Sequence, residues 1–187
     1  SLKLLHLSVI VKEIIILEKS HLIYQKLEDF IKKFYTNELL KGTILFVGLG
    51  LMYFMITLLI EHFYWLKPNG RLLLFYAFVL VEVFLLCRFI LFPIFQLFKI
   101  KKGINYEQAS SIIGNHFTEV NDKLMNFLQL SNTNDSSELL LASIEQKANL
   151  LQPIPFGNAI NFKKNKKYLP FAILPILLFI AFYLSGN

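Results

Sequence analysis

Three stretches of the chain are almost free of charge. Residues 43–60 read TILFVGLGLMYFMITLLI, residues 71–98 read RLLLFYAFVLVEVFLLCRFILFPIFQLF, and residues 168–184 read YLPFAILPILLFIAFYL. A helix needs about 20 mainly apolar residues to cross a hydrocarbon core. The first run covers about 27 Å at ~1.5 Å per residue, and Glu61–Trp65 extends it through an interfacial aromatic belt. Lys67-Pro68-Asn69-Gly70 reads as a turn, so residues 43–98 predict a transmembrane helical hairpin. The third run predicts a third span over 168–187, with Pro170 in its first turn and Pro175 inside, where it kinks the helix. The pattern as a whole predicts an all-α membrane protein: three transmembrane helices, with a small helical domain between the second and third.

The polar stretches carry their own periods. In 24–42, Tyr24, Leu27, Phe30, Ile31 and Phe34 recur at helical spacing opposite Gln25, Lys26, Glu28, Asp29, Lys32 and Lys33. This is the pattern of an amphipathic helix at the headgroup level, or of a helix packed over the soluble domain. Residues 1–23 are apolar but broken by Lys3, Lys12, Glu13, Glu18 and Lys19. They are too interrupted to span and form a poor signal peptide, so they stand as an unassigned N-terminal extension.

Within 99–167 three helices are expected. Asn105 and Gln108 have capping-box spacing, followed by the stripe Tyr106, Ala109, Ile112 and Ile113 and a stop at Gly114. Thr118 is the expected cap of a second helix with Val120, Leu124, Phe127 and Leu128 on its apolar face. Asp135 with Glu138 caps a third, with Leu140, Leu141, Ile144, Ala148 and Leu151 inward. Gln152-Pro153-Ile154-Pro155 ends it, and Phe156–Phe162 is expected to be irregular or extended. A core of fewer than ~60 residues is marginal alone, so this domain is expected to dock on the membrane face, on the 24–42 helix, or on further chain. Asn134-Asp135-Ser136 matches the glycosylation pattern, which a cytoplasmic loop would leave unmodified.

Composition agrees with the pattern: 55% hydrophobic, 17% charged, and a mean hydropathy of +0.53, too apolar for an ordinary soluble domain. The net charge of +6 comes from lysines flanking the apolar runs. Sixteen of the nineteen Lys and Arg lie before the first run or between the second and third, two lie in the hairpin turn (Lys67, Arg71), and Arg88 lies within a run. The positive-inside rule then places the N-terminus and residues 99–167 in the cytoplasm and the hairpin outside. That orientation is the one expected of a bacterial inner (cytoplasmic) membrane protein. No basic patch interleaves with base-stacking aromatics in a polar segment, so nucleic acid is not an expected partner.

Candidate chemistry is sparse. Glu82 is the costliest residue of the second span, at about 2.5–3.5 kcal/mol for an ionised carboxylate at mid-bilayer, and must face protein, protonate or pair. Arg88 lies six residues on, which places it on another face of the same helix. The pair reads as polar glue in a bundle, or as a proton or ion relay. A relay ordinarily needs a second intramembrane acid, which favours glue. The single Cys87 reads as a packing residue. His6, His21, His62 and His116 are scattered, with only Glu61-His62 adjacent, so no metal site and no cofactor are expected. His116 beside Glu119 reads as a helix-end histidine. Glu107, Glu119, Asp122 and Glu138 fall mostly in first turns, where the helix dipole favours them. No phosphate loop, dinucleotide fingerprint, G-x-S-x-G, H-E-x-x-H or C-x-x-C occurs, and the chain is not expected to be an enzyme.

The runs GINYEQASSIIGNHFTEVNDKLMNFLQL (103–130) and SSELLLASIEQKANLLQPIPF (136–156), with YQKLEDFIKKFYTNELLKG (24–42) and the three-span layout, resemble a bacterial membrane family known only as domain of unknown function 4175. The resemblance covers about residues 24–187. Family members often carry Pro where this chain has Thr118. Members are much longer, with a large, partly coiled region after the third span. The resemblance therefore implies an N-terminal membrane module followed by more chain, with no catalytic residue to carry over. Two functions are expected from these readings. One is a membrane-anchoring scaffold that works with protein partners in the cell envelope or as a homo-oligomer. The other is an accessory subunit of a transport or secretion system that uses Glu82.

Overall fold

The computed structural model describes residues 2–98, 103–133 and 137–185. Among these there are helices and turns and no strand. Helix α1 runs Leu2–Tyr64, α2 Pro68–Leu86, α3 Phe92–Leu97, α4 Tyr106–His116, α5 Asn121–Ser131, α6 Glu138–Leu151 and α7 Leu169–Ser185. A π-helical turn, Cys87–Leu91, joins α2 to α3, and 3₁₀ turns at Phe156–Ala159 and Phe162–Tyr168 precede α7. Three stretches, Ile10–Tyr64, Pro68–Leu97 and Phe156–Leu184, are long and apolar enough to cross a membrane. The chain divides into two compact units.

The helical unit comprises the chain up to Phe34 together with Gly103–Asn161. On α1, Ile16, Ile23, Leu27 and Phe30 are buried. Their spacing of seven, four and three keeps them on one helical face. They form one core with Ala109 and Ile113 of α4, Val120, Leu124, Phe127 and Leu128 around α5, Ile144, Ala148 and Leu151 of α6, and Phe156. The stripes expected of the three short helices thus point inward. The segment 24–42, expected as an interfacial helix or as a helix packed over the soluble domain, is the middle of α1, and its first part is packed in the second way. Leu27 and Phe30 are covered by α4–α6, so that face is not left for headgroups. Residues 2–23, expected as an unassigned extension, are the start of the same helix. The domain expected over 99–167 therefore borrows a fourth helix and closes at Asn161.

Several local expectations shift. The Asn105–Gln108 capping box forms, with Gln108 N–H donating to Asn105 Oδ1 at 2.8 Å and Asn105 N–H donating to Gln108 Oε1 at 3.1 Å. Helix α4 runs past Gly114 to His116. Gly114 is needed for close approach, since a Cβ there would lie 2.5 Å from the Asn121 side chain. Thr118 does not cap α5; Val120 holds that position without a side-chain bond, in a turn closed by Val120 N–H to Phe117 O at 2.8 Å. Helix α6 is capped by Ser137, whose Oγ accepts from Leu140 N–H at 3.4 Å. Asp135, the expected cap, lies outside the described residues, as does the whole triplet Asn134-Asp135-Ser136. Phe156–Ala159, expected as irregular, is a 3₁₀ turn.

The bundle comprises the rest: α1 from Tyr35 onward, α2 through α3, and α7. Helix α2 runs antiparallel to α1. Tyr53 stacks on Phe78 with centroids 5.9 Å apart, and Arg71 Nε pairs with Glu61 Oε1 at 3.1 Å nearer the turn. The turn itself is Trp65–Lys67, with Trp65 at φ 43° in the left-handed region. It is not the expected Lys67–Gly70, because Pro68 opens α2, where a missing N–H costs nothing. Helix α7 runs parallel to α1: Asn165 Nδ2 donates to Asn37 Oδ1 at 2.9 Å at one end, and His62 meets the Phe182 ring edge-on at 6.0 Å at the other. Up, down and up is the order that three membrane passes require when the polar region follows the second. The lysines at 99, 101 and 102 lie outside the described residues.

Candidate functional site: the bundle interior and its basic end

Among the described residues of the bundle, the buried positions are Tyr35, Gly42, Gly48, Gly50, Pro93, Asn165 and Pro175. None of the described leucine, isoleucine and phenylalanine side chains that fill the spans is fully buried there. Helices surrounded by hydrocarbon gain nothing by hiding leucine from it, so small residues that let backbones approach hold the contacts.

The glycines and prolines are matched. Proline has no N–H to give to the carbonyl four residues earlier, and its ring crowds that oxygen. For Pro93 that carbonyl belongs to Phe89, and for Pro175 to Phe171. A Cβ placed on Gly42 would land on the Phe89 carbonyl oxygen, and one placed on Gly48 would land on that of Phe171. Both proline-deprived carbonyls of the spans therefore seat on glycines of α1. The glycine Cα hydrogens point at them in the arrangement of Cα–H···O contacts, each about 0.5–1 kcal/mol. Ahead of Pro93 the chain widens into the π-helical turn, where Phe92 N–H donates to Cys87 O. This local adjustment is how a membrane helix accommodates a proline. Gly48 and Gly50 are two apart and face different helices, Gly48 α7 and Gly50 α2.

Glu82 meets the third glycine. Its carboxylate oxygens would lie 2.9 and 3.0 Å from a Cβ on Gly50, and Oε1 is enclosed without a hydrogen-bond partner. Phe78, four residues earlier, shares its face and stacks on Tyr53 of α1. Arg88 is not brought to Glu82. It is exposed, its guanidinium 5.8 Å from the Phe92 ring, and it lines a cleft with Glu38, Lys41 and Gly42. Gly42 lies eight residues, about 12 Å, before Gly50 along α1. Arg88 therefore shares a cleft with the charged residues that precede the uncharged run of the first span, and makes no contact with Glu82. Cys87, expected to pack, is exposed on the π turn. At the same end Lys41 pairs with Glu38 at 3.3 Å and stands 5.7 Å from the centre of the Tyr168 ring, with Lys167 4.9 Å from the centre of the same ring. Sequence reasoning missed Lys41 because nothing local separates it from the other flanking lysines.

In the helical unit the polar side chains act as struts. Lys26 Nζ donates to the carbonyls of Gln152 at 2.5 Å and Ile154 at 2.8 Å, closing the C-terminal end of α6, and lies 5.0 Å from the Phe156 ring. Lys19 pairs with Glu145 at 2.8 Å, and that hydrogen bond holds the Glu145 carboxyl below its ordinary range. Tyr106 donates to Glu28 Oε1 at 3.0 Å; burial, then the carboxylate, pushes its phenol up. His116 stands edge-on to Phe117 at 4.7 Å, beside a groove of about 420 Å³ that it lines with Glu119, Pro153 and Pro155. Among the described residues no three His, Cys, Asp or Glu side chains come together as metal ligands; Glu61 is taken by Arg71 and His62 by aromatic rings.

No family model matches the chain, and no curated protein or solved structure matches it.

Proposed function

We propose that the chain is the membrane-anchoring module of a larger bacterial envelope protein, related to the family of unknown function whose runs it resembles, and that it works by holding protein partners rather than by catalysis. It would sit in the cytoplasmic membrane with its N-terminus and helical unit on the cytoplasmic side. The observation that supports this best is the use made of the charged side chains in the helical unit. Lys19, Lys26, Glu28 and Glu145 are joined to one another, to helix-end carbonyls or to a tyrosine, and so serve to fasten four helices. The lysine asymmetry supports the orientation.

Topology is tested by single cysteines at 67, 130 and 187 in a Cys87→Ser background. An impermeant maleimide applied to intact cells labels 67 and 187, and labels 130 only after permeabilisation. Labelling of 130 in intact cells contradicts the orientation. Crosslinking and capture of the full-length protein should recover envelope proteins or further copies of the chain. Recovery of neither, with a catalytic activity in the isolated module, contradicts the scaffold reading.

A second reading, an accessory subunit of a transport or secretion system, draws on the enclosed Oε1 of Glu82 against Gly50. Glu82→Gln should then abolish proton- or ion-coupled transport in cells. An unchanged phenotype removes it.

A further inference from the structure

We propose that the cleft at the basic end of the bundle is a binding site for the phosphodiester of an anionic phospholipid, held between Lys41 and Arg88. The inference rests on the membrane reading above but goes beyond it, since a scaffold needs no lipid preference.

The cleft has a volume of about 100 Å³, the liquid volume of roughly three waters, and so has room for a phosphate group. Lys41, Arg88 and Glu38 line its charged side, and Leu45, Phe89 and Pro93 its apolar side. A lipid at the headgroup boundary presents the same two chemistries, a phosphodiester above and glycerol and acyl carbons below. The depth is right for it: the cleft lies beside Gly42, one residue before the uncharged run of the first span begins at Thr43.

The charge count selects an anion. Glu38 neutralises Lys41 at 3.3 Å. Among the described residues Arg88 is in none of the ion pairs Lys19–Glu145, Lys32–Asp29, Lys41–Glu38 and Arg71–Glu61, and has a phenylalanine ring beside it. The cleft is left with one net positive charge, which a single phosphodiester cancels. Arginine is the side chain suited to that ligand, because its planar fork matches two phosphate oxygens and is weakly hydrated. The proline-driven π turn has a role here as well. It carries Arg88 at its second position while the neighbouring Phe89 carbonyl seats on Gly42, and Arg88 and Lys41 line the same cleft. Basic pockets between membrane helices on the lysine-rich side are where acidic headgroups bind.

The test uses the whole chain reconstituted in phosphatidylcholine nanodiscs containing a minority of phosphatidylglycerol, with retained lipid read by native mass spectrometry. The wild type should keep phosphatidylglycerol in preference to phosphatidylcholine. Arg88→Gln and Lys41→Gln should each weaken that preference by about fivefold, the effect of one basic residue near an anionic surface. Glu38→Gln, which raises the cleft to two net charges, should strengthen it. Lys147→Gln, the same charge loss in the helical unit, should leave it unchanged. Because Glu38→Gln predicts a gain, a variant that merely misfolds cannot imitate the set. Equal retention of both lipids, or an equal loss in Lys147→Gln, overturns the proposal. Displacement of the lipid by excess inorganic phosphate also overturns it, by showing a phosphate site and not a lipid site. Carbonate extraction of the same variants reports membrane insertion separately, so failure of the lipid site is distinguishable from failure of the membrane reading.

Discussion

The helical unit and the bundle hide opposite kinds of residue. In the helical unit the interior is Ile23, Leu27, Phe30, Leu124, Phe127 and Leu151, each at most 1% exposed. Among the described residues of the bundle the buried positions are glycine, proline, one asparagine and Tyr35, while Leu73, Leu80 and Leu177 are 73%, 70% and 58% exposed. The same chain, and in α1 the same helix, follows two rules because it has two solvents. In water, burying a large apolar side chain is worth about 1.5–3 kcal/mol. In lipid that gain vanishes, and what remains is close packing and the satisfaction of backbone groups.

The contrast is broken most simply by truncation. Phe127→Ala should cost the helical unit about 3–5 kcal/mol, while Leu80→Ala in the bundle should change stability by less than about 0.5 kcal/mol. Denaturant unfolding of the full chain in detergent, with probes placed in each unit, measures both. A large loss in Leu80→Ala would mean that the bundle too is held by large side chains.

Glycine substitutions sharpen the other half. Alanine favours a helix over glycine by about 1 kcal/mol, but at positions 42 and 48 its Cβ meets a backbone carbonyl that cannot turn away. Overpacking of about 1–3 kcal/mol should win, so both variants should lose thermal stability in detergent. At Gly50 the obstacle is the flexible end of Glu82, and Gly50→Ala should be close to neutral. A comparable loss at all three would show that glycine is needed for something other than seating carbonyls.

Two smaller effects probe the struts. Lys26→Met leaves the carbonyls at the end of α6 without their donor and should cost about 1–3 kcal/mol, read as a lower melting point of the helical unit. For the Lys19–Glu145 pair the sign follows from the depressed Glu145 carboxyl. Its folded value lies below the ordinary 4.5, so the contribution is present above that value and fades as the pH falls through the folded one. Melting between neutral pH and pH ~3 should show this loss, and Lys19→Gln should flatten it.

Much of this was legible in the residues and some was not, for a physical reason. Spans, hairpin and short helices announce themselves locally, as runs of apolar residues and as stripes such as Val120, Leu124, Phe127 and Leu128. The Asn105–Gln108 cap is local too and forms as its spacing predicts. The unity of α1 is hidden because Ile16, Ile23, Leu27 and Phe30 form a core-facing stripe that passes, with no Pro or Gly break before Gly42, into an all-round apolar run. The turn at Trp65 is hidden because an aromatic residue at φ 43° is a poor turn signal. The pairing of Gly42 with the carbonyl before Pro93, and of Gly48 with the one before Pro175, joins positions 47 and 123 residues apart (89 − 42 and 171 − 48). Each member reads as an ordinary membrane glycine or proline until the helices are side by side. The cleft that Arg88 shares with Glu38 and Lys41 was hidden for the same reason, since those neighbours lie on another helix.

The most direct test is a double-mutant cycle between Gly42→Ala and Pro93→Ala, read as unfolding free energy in detergent. Alanine at 93 restores the N–H, draws the Phe89 carbonyl back along its own helix, and should make room for the methyl group at 42. The two changes should therefore couple by about 1 kcal/mol or more, with the proline substitution rescuing the glycine one. Additivity within about 0.3–0.5 kcal/mol would contradict the account.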